Sequence, residues 1–299
     1  MQSKMLKEMS SRNWNQIFSP ELQTESTTAL EHGKILLFSQ LAFVLLPHEN
    51  KFLSAEYVDK KTKNISFNGL TDTLRGTQYV GKEYEELKAM LRRFMQSAQS
   101  LVQKIFPSYA AALQLGRTSF RPVEISGRVS SYRKDDTRLH VDAFPATPNQ
   151  GRRILRVFTN INPNGKNRFW RVGEPFLHVA QRFLPSIDQP WSGKATLLKM
   201  LKLTKSYRTE YDHIMLRIHD QMKADLDYQK NVSQNEIHFA SGSSWVVQTD
   251  HVSHAAMAGQ HMLEQTFYLP VDAMINPALS PLRILEKLRG KSLLPPSFS

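Results

Sequence analysis

One histidine–aspartate pair in the chain has a spacing that suits a metal site. His140 and Asp142 are separated by a single residue in the segment Arg-Leu-His-Val-Asp-Ala-Phe. On a β-strand, residues two positions apart face the same side, so an imidazole and a carboxylate would point into one cavity. A third ligand from a distant strand would complete one face of an octahedron, as in non-haem iron(II) oxygenases. Taken alone, the pair also fits an exposed polar strand face or a loop.

Two downstream histidines compete for the place of the third ligand. His251 follows Asp250 in the turn of a strand–turn–strand pattern. His254 enters the next strand and is followed by small residues that can pack inside a barrel. We therefore predict His254 as the ligand and His251 as a solvated turn residue. The alternative for His254 is a core histidine bonded to a backbone carbonyl.

A 2-oxoglutarate co-substrate would need a cationic or multiply hydrogen-bonded anchor for its C5 carboxylate. The strand after the distal histidine, which commonly carries this anchor in jelly-roll oxygenases, holds Gln265 instead of a basic residue. Arg156 lies in an apolar strand-like segment and needs an anionic partner if it is buried. We predict that Arg156, Gln265 and Tyr132 contact the co-substrate. Further candidates, which could equally be surface or ion-paired residues, are Arg153 and Arg168.

The elements around these residues predict an α+β fold with a double-stranded β-helix, or jelly-roll, core and surrounding helices. β-Branched and aromatic residues alternate with turn residues from position 119 onward. An amphipathic helix over 84–106 precedes this strand-rich region, and a helical insertion at about 190–230 interrupts it. The predicted strands lie at 34–46, 123–129, 139–144, 154–161, 169–172, 237–239, 244–249 and 263–269.

The chain divides into one domain with two extensions. Residues 1–30 are rich in Ser, Thr, Asn and Glu, which predicts a loosely packed polar arm. Residues 31–278 lack a Gly/Ser linker and predict a single oxygenase domain. Residues 279–299 predict a basic tail whose helix begins at Ser280-Pro281 and docks on the barrel. A helix lying on anionic lipid is the alternative for this tail.

Composition and charge narrow the possible functions. The 299 residues include no cysteine, which excludes disulfides, thiolate zinc sites, iron–sulfur clusters and a cysteine nucleophile. A net charge of +12 favours an anionic partner. Neither a secretory signal nor a membrane-spanning stretch is visible, which predicts a cytoplasmic protein that can contact a membrane surface.

Three long blocks, at 138–176, 211–229 and 245–270, resemble the Kdo hydroxylase family of Gram-negative bacteria, where Kdo is 3-deoxy-D-manno-oct-2-ulosonic acid. The resemblance implies an Fe(II)-, 2-oxoglutarate- and O₂-dependent enzyme. Such an enzyme hydroxylates C3 of a Kdo residue in Kdo-lipid A and gives D-glycero-D-talo-oct-2-ulosonic acid (Ko). The family's metal ligands would correspond to His140, Asp142 and His254.

The resemblance also implies an anionic, lipid-linked sugar as partner, peripheral contact with the inner membrane, and no nucleic acid. Basic residues are dense at 152–171 and 194–205 and could form a landing surface for such a substrate.

Other functions fit parts of the pattern. An oxygenase acting on a different sugar or lipid would share the metal site. A zinc hydrolase could use Asp250, His251 and His254 and would need neither O₂ nor 2-oxoglutarate. A non-enzymatic binder of nucleic acid or lipid would use the positive charge but would leave an inward-facing histidine–aspartate pair without a role.

Overall fold

The computed structural model of the protein describes residues 4–59, 62–127, 130–189, 200, 204 and 206–296. Its α-helices are α1 (Pro20–Glu31), α2 (Lys82–Ile105), α3 (Phe176–Phe183), α4 (Glu210–Ala224), α5 (Leu226–Asn231) and α6 (Pro281–Arg289). Its strands are β1 (Leu6–Glu8), β2 (Ile35–Phe38), β3 (Ile65–Asn68), β4 (Thr73–Arg75), β5 (Gln114–Arg121), β6 (Arg153–Asn160), β7 (Arg168–Val172), β8 (Asn235–Phe239), β9 (Ser244–Gln248), β10 (His254–Ala258) and β11 (Met262–Leu269).

Two sheets form the predicted jelly roll. The larger sheet has the order β1-β2-β9-β6-β11-β5-β3-β4, and the smaller has the order β10-β7-β8. An isolated antiparallel bridge between His140 and His254 adds a further segment to the β10 edge of the smaller sheet. Strands β5, β11, β6 and β9 thus oppose β10, β7, β8 and this segment, which is the arrangement of a double-stranded β-helix.

Alternate residues of the central strands supply two separate hydrophobic cores. Every residue of β6 and β9 is buried. Val157 and Val246 belong to the core that includes α2, whereas Phe158, Trp245 and Trp170 belong to a second core shared with the smaller sheet. Because side chains alternate along a strand, the larger sheet is covered on both faces.

The long helix predicted over 84–106 is confirmed as α2, which packs on the larger sheet through contacts with β5, β11 and β3. Its buried side chains recur at helical spacing and include Leu87, Leu91 and Phe94. The helix ends two residues before Pro107, where the pyrrolidine ring prevents further helical hydrogen bonding.

Two of the predicted strands do not form. The first, at 123–129, is replaced in its described residues by turns, because Pro122 follows the end of β5 and the Glu124 carboxylate accepts hydrogen bonds from the N–H groups of Ile125 and Ser126. The second, at 139–144, makes only the single bridge noted above. The other predicted strands correspond to β2, β6, β7, β8, β9 and β11.

The N-terminal segment is packed, in contrast to the loosely packed arm predicted for 1–30. From residue 4 onward, β1 pairs in parallel with β2, and α1 packs against α2. Phe18 is buried in the core. The polar composition is misleading because buried hydroxyls are bonded locally: Thr27 Oγ1 donates to Gln23 O at 2.8 Å.

The helical insertion predicted at about 190–230 is described only in part, since 190–199, 201–203 and 205 lie outside the described residues, together with most of the basic stretch at 194–205. Its described part contains the helices α4 and α5. The break falls at Asp225, whose side chain accepts a hydrogen bond from Tyr228 N and caps α5.

The C-terminal helix α6 begins after Ser280, as predicted, and packs against α3. Its apolar residues Leu282 and Leu285 are buried, which agrees with docking on the domain. None of the described helices combines the length and the apolar character needed to cross a membrane.

A fully buried ion pair ties β6 to the turn after β9. Arg153 Nε lies 2.7 Å from Asp250 Oδ2, and neither side chain is exposed. We expect Arg153→Met to lower the free energy of unfolding by about 3–5 kcal/mol, because it leaves a buried carboxylate unpaired. Urea denaturation measures this. Lys82→Met, at a position 87% exposed, should change stability by less than about 0.5 kcal/mol, and an equally small effect at Arg153 would contradict the assigned role.

Candidate active site

Two mutual backbone hydrogen bonds hold the first and third predicted metal ligands side by side. His140 N donates to His254 O at 3.0 Å, and His254 N donates to His140 O at 2.9 Å. On its other side His254 pairs with Val172 of β7. Asp142 N donates to Thr249 O at 2.8 Å, which fixes the second ligand to the same framework.

The three predicted ligands converge on one point. Ligand atoms of His140, Asp142 and His254 all lie within 4.8 Å of one another. His140 Nε2 is 3.7 Å from Asp142 Oδ1, and the two imidazole centroids are 4.6 Å apart. All three side chains are buried. Two imidazoles and one carboxylate so arranged form a donor set that fits iron(II) and leaves other coordination positions open.

Backbone carbonyls orient both imidazoles. His140 Nδ1 donates to Arg138 O at 2.8 Å, and His254 Nδ1 donates to Val252 O at 2.8 Å. A carbonyl oxygen can only accept, so each Nδ1 carries the proton. Each Nε2 therefore presents a free lone pair toward the shared point, as a metal ligand must.

Burial and neighbouring charges keep these side chains in their metal-binding protonation states. Burial lowers the pKa of His140 well below its usual value, and Lys223 lowers this pKa further. Burial also lowers the pKa of His254, with Asp142 opposing the shift. Burial alone would raise the pKa of Asp142, but opposing influences, first among them the charge of Arg156, outweigh it and lower the pKa overall. At neutral pH the imidazoles are therefore neutral and the carboxylate is ionised.

The three ligands line a cavity of about 800 Å³ that is rich in positive charge. Its seven basic residues are Lys63, Arg121, Arg133, Lys134, Arg156, Arg168 and Lys223. Its four acidic residues are Asp136, Asp142, Asp220 and Glu264. Seven positive and four negative side chains leave an excess of three positive charges, which favours anionic ligands.

Arg156 lines this cavity, but its charge is already paired within the protein. Its Nη2 lies 3.0 Å from Asp142 Oδ2, and its Nη1 lies 2.8 Å from Glu264 Oε1. The anionic partner that a buried arginine requires is thus supplied by two carboxylates. Through this pair, Arg156 connects β6 to a predicted metal ligand and to β11.

Gln265 lies on the face of β11 that points away from the cavity. Its Oε1 accepts a hydrogen bond from Thr118 Oγ1 at 2.6 Å, and its Nε2 donates to Thr266 O at 2.7 Å. The physical reason is strand alternation: the preceding residue, Glu264, lines the cavity, so Gln265 faces the other side.

Tyr132 and Arg153 also lie outside the cavity lining. The Tyr132 ring is covered by the guanidinium of Arg133, 5.2 Å from the ring centroid. Arg153 is used by the buried pair with Asp250 and is inaccessible to a surface substrate.

The competing zinc site does not assemble. His251 is buried instead of solvated, and its ring packs edge-on against Phe176 with 5.9 Å between centroids. Its neighbour Asp250 is held by Arg153. Among the described residues, one cluster of three or more potential metal ligands is found, and it consists of His140, Asp142 and His254. The structure therefore contradicts a zinc hydrolase site built from Asp250, His251 and His254.

Arg168 and Trp170 contribute more to the cavity than the sequence analysis suggested. Arg168 is 1% exposed; its Nη1 donates to Gly259 O at 3.0 Å, while Nε has no partner among the described residues. Burial lowers the pKa of Arg168 to about 9. Trp170 stacks on His254 at 5.1 Å, and its Nε1 also lacks a partner. Two positions apart on β7, these residues share a face, which is the signal that could have identified them.

A glycine at position 259 makes room for Arg168. Its φ of +123° is a backbone conformation that other residues rarely adopt, and a Cβ there would lie 2.9 Å from Arg168 Cδ.

One face of α4 forms a cavity wall that the sequence analysis missed. Leu216, His219, Asp220 and Lys223 recur at helical spacing and all line the cavity. The His219 ring stands edge-on to His140 with 5.4 Å between centroids, and its Nδ1 lies 3.0 Å from Asp220 Oδ1.

Comparisons with known proteins agree with this geometry. The family model described as 3-deoxy-D-manno-oct-2-ulosonic acid (Kdo) hydroxylase matches residues 13–292. A crystal structure of the Kdo hydroxylase KdoO, a non-heme Fe(II) alphaketoglutarate dependent dioxygenase, with alphaketoglutarate and Fe(III), is 46% identical over 97% of each chain, with a TM-score of 0.94. The cobalt(II) complex of KdoO is 46% identical over 98% of each chain, with a TM-score of 0.95.

The succinate and Fe(III) complex of KdoO is 45% identical over 98% of each chain, with a TM-score of 0.94. No curated protein gives a match to the chain. Because the family match runs through every element that builds the cavity, the chain belongs to the Kdo hydroxylase family.

Proposed function

We propose that this protein uses iron(II), 2-oxoglutarate and O₂ to hydroxylate C3 of a Kdo residue in Kdo-lipid A. The products are Ko, succinate and carbon dioxide. The observation that carries the proposal is the convergence of His140, Asp142 and His254 at the wall of a positively charged cavity. Bound iron and 2-oxoglutarate would supply the oxygen activation that replaces C–H by C–OH.

Asp142 is the ligand whose orientation depends most on other side chains. Arg156 forms one ion pair with Asp142 and another with Glu264, so the Asp142 carboxylate cannot rotate freely. The imidazole ligands are oriented by backbone instead. The protein therefore supplies a fixed ligand geometry. The role that we assign to Arg156 is to position the Asp142 carboxylate.

Arg168 is the residue we assign to the C5 carboxylate of 2-oxoglutarate. It is a buried cation whose Nε lacks a partner, and it lines the same cavity as the triad. It lies four positions before Val172, the strand partner of His254, so it is displaced along β7 from the metal-binding end. Trp170, two residues nearer to that end, offers Nε1 as a further donor to the same carboxylate.

The substrate class is supported by charge. A Kdo residue is an ulosonic acid, and the cavity has an excess of three positive charges. Iron(II) and dianionic 2-oxoglutarate cancel each other, so that excess stays available for the sugar. The net charge of +12 further suits a phosphorylated lipid anchor and peripheral contact with the cytoplasmic face of the inner membrane.

The direct test of this function is incubation with Fe(II), 2-oxoglutarate, O₂ and Kdo-lipid A. Mass spectrometry should show a gain of one oxygen atom on the lipid, located at C3 of Kdo by fragmentation, with one succinate per product. Oxygen gain on a different sugar or on an acyl chain would show an oxygenase with another acceptor and would refute the proposed substrate.

The triad should be essential while the neighbouring histidine should not. We expect His140→Ala, Asp142→Ala and His254→Ala each to lower succinate formation at least about 100-fold, because a ligand is lost. His251→Ala is the matched control and should keep metal binding, since this ring lies in an apolar contact with Phe176. Calorimetric titration with metal separates loss of binding from loss of turnover. Retained turnover in a triad variant would disprove the assignment.

Arg168 should control affinity for the co-substrate. We expect Arg168→Met to weaken 2-oxoglutarate binding by about 30-fold or more, because a buried carboxylate loses its charged partner. The visible charge-transfer band of the anaerobic Fe(II)–2-oxoglutarate complex measures this affinity without turnover. Arg171→Met, on the other face of β7, should leave the affinity unchanged. Equal affinities in the Arg168 variant and the wild type would place the anchor elsewhere.

A further inference from the structure

We propose that Lys223 binds the carboxylate of the sugar acid and so makes the enzyme selective for acidic sugars. This inference rests on the proposed function and adds a substrate-recognition residue to it. It assigns a ligand to the one buried ammonium group of the cavity lining in the described part of the chain.

Lys223 is a buried cation without an anionic partner. It lies in the last turn of α4, is 2% exposed and lines the cavity. Its Nζ donates to Arg133 O at 3.2 Å, and it forms no ion pair within 4 Å among the described residues. Burial lowers the pKa of Lys223 overall and outweighs the more distant charges of Asp136, Asp142 and Asp135, which raise it. An ammonium group has three donors, so donors remain for a ligand. Burying a charge in this way is costly unless an anion eventually pairs with it.

The acidic residues of the cavity are engaged by other cations. Asp136 lies 3.5 Å from Lys63 Nζ and 3.6 Å from Arg121 Nη1. Asp220 forms an ion pair with Arg133 and accepts a hydrogen bond from His219 Nδ1. The remaining two, Asp142 and Glu264, are joined by Arg156. None of these four carboxylates of the described cavity wall therefore forms a direct ion pair with Lys223.

Two buried cations of the lining thus lack protein carboxylates, and two carboxylate-bearing molecules must enter. Arg168 lies on β7 and suits the distal carboxylate of 2-oxoglutarate, as argued above. Lys223 lies on α4, a different wall of the cavity. The two cations are therefore placed to hold two different anions.

The chemistry of the reaction requires a carboxylate binder close to the metal. In a 3-deoxy-2-ulosonic acid, C1 of the carboxylate and C3 are both bonded to C2, so only two bonds separate the carboxylate carbon from the carbon to be hydroxylated. Lys223 meets this requirement. It lies one helical turn after His219, whose ring contacts His140, and it is the foremost charged neighbour acting on His140.

A neutral sugar of the same shape would leave this ammonium buried and unpaired. Sites built around a buried polar group reject ligands that lack its partner far more strongly than apolar pockets reject a missing methylene. Lys223 would therefore favour an acidic sugar over a neutral one through the charge next to the reacting carbon. The phosphates of a lipid anchor lie farther along the molecule.

The test compares two ligands and two proteins. The ligands are the methyl α-glycoside of Kdo and its C1 carboxamide, which has the same shape but no charge. Protein loaded anaerobically with Fe(II) and 2-oxoglutarate is titrated with each ligand by calorimetry. We expect the wild type to bind the acid about 30-fold more tightly than the amide, or better. Lys223→Met should bind both within about threefold, and Lys223→Arg should restore part of the preference.

Controls separate recognition from folding and from general charge. The charge-transfer band of the Fe(II)–2-oxoglutarate complex should be unchanged in Lys223→Met, which shows an intact site. Lys82→Met removes the same formal charge at an exposed position and should keep the full preference for the acid. A wild type that binds acid and amide equally, or a Lys223→Met variant that keeps the preference, would overturn the inference.

Failure of the proposed function has a different signature. In that case the wild type itself adds no oxygen to Kdo-lipid A, whatever stands at position 223. If the wild type hydroxylates the lipid and Lys223→Met does so with an unchanged KM, the function stands and the inference about Lys223 is wrong.

Discussion

The pairing of His140 with His254 is the constraint on which the rest of the site depends. Two backbone hydrogen bonds join residues far apart in sequence, so that two imidazoles and the neighbouring Asp142 reach one point. Without this pairing, the segment that carries His140 and Asp142 would lose its attachment to β10. The jelly roll suits this function because the register of its paired strands fixes the positions of the ligand-bearing residues.

The basic side chains of the cavity differ in whether their charge is paired with a carboxylate of the protein or is left for a ligand. Arg156 is neutralised by two carboxylates and holds one of them in place. Arg168 and Lys223 are buried without carboxylate partners among the described residues. Burial of unpaired charge costs stability, so a fold keeps it where a ligand will later offset the cost. Arg153 and Asp250 neutralise each other, so this buried pair leaves no charge for a ligand and has a structural role.

Sequence alone predicted the jelly roll and the three ligands because both follow from local periodicity and from a family resemblance. The strands around Arg156 and Trp245 are rich in β-branched and aromatic residues, and α2 repeats its apolar residues at helical spacing. Co-substrate contacts were harder to predict, since facing direction depends on register: Gln265 is one residue from the cavity-lining Glu264 and points the other way. The wall of α4 was missed because its residues have different chemical types and meet the triad only through tertiary packing.

A crystal structure of the protein with cobalt(II), with data collected at the cobalt absorption edge, would locate the metal directly. We expect one anomalous peak at about 2.1 Å from Nε2 of His140, Nε2 of His254 and a carboxylate oxygen of Asp142. A peak beside His251 and Asp250, or a metal that leaves one of the three side chains unbound, would contradict it.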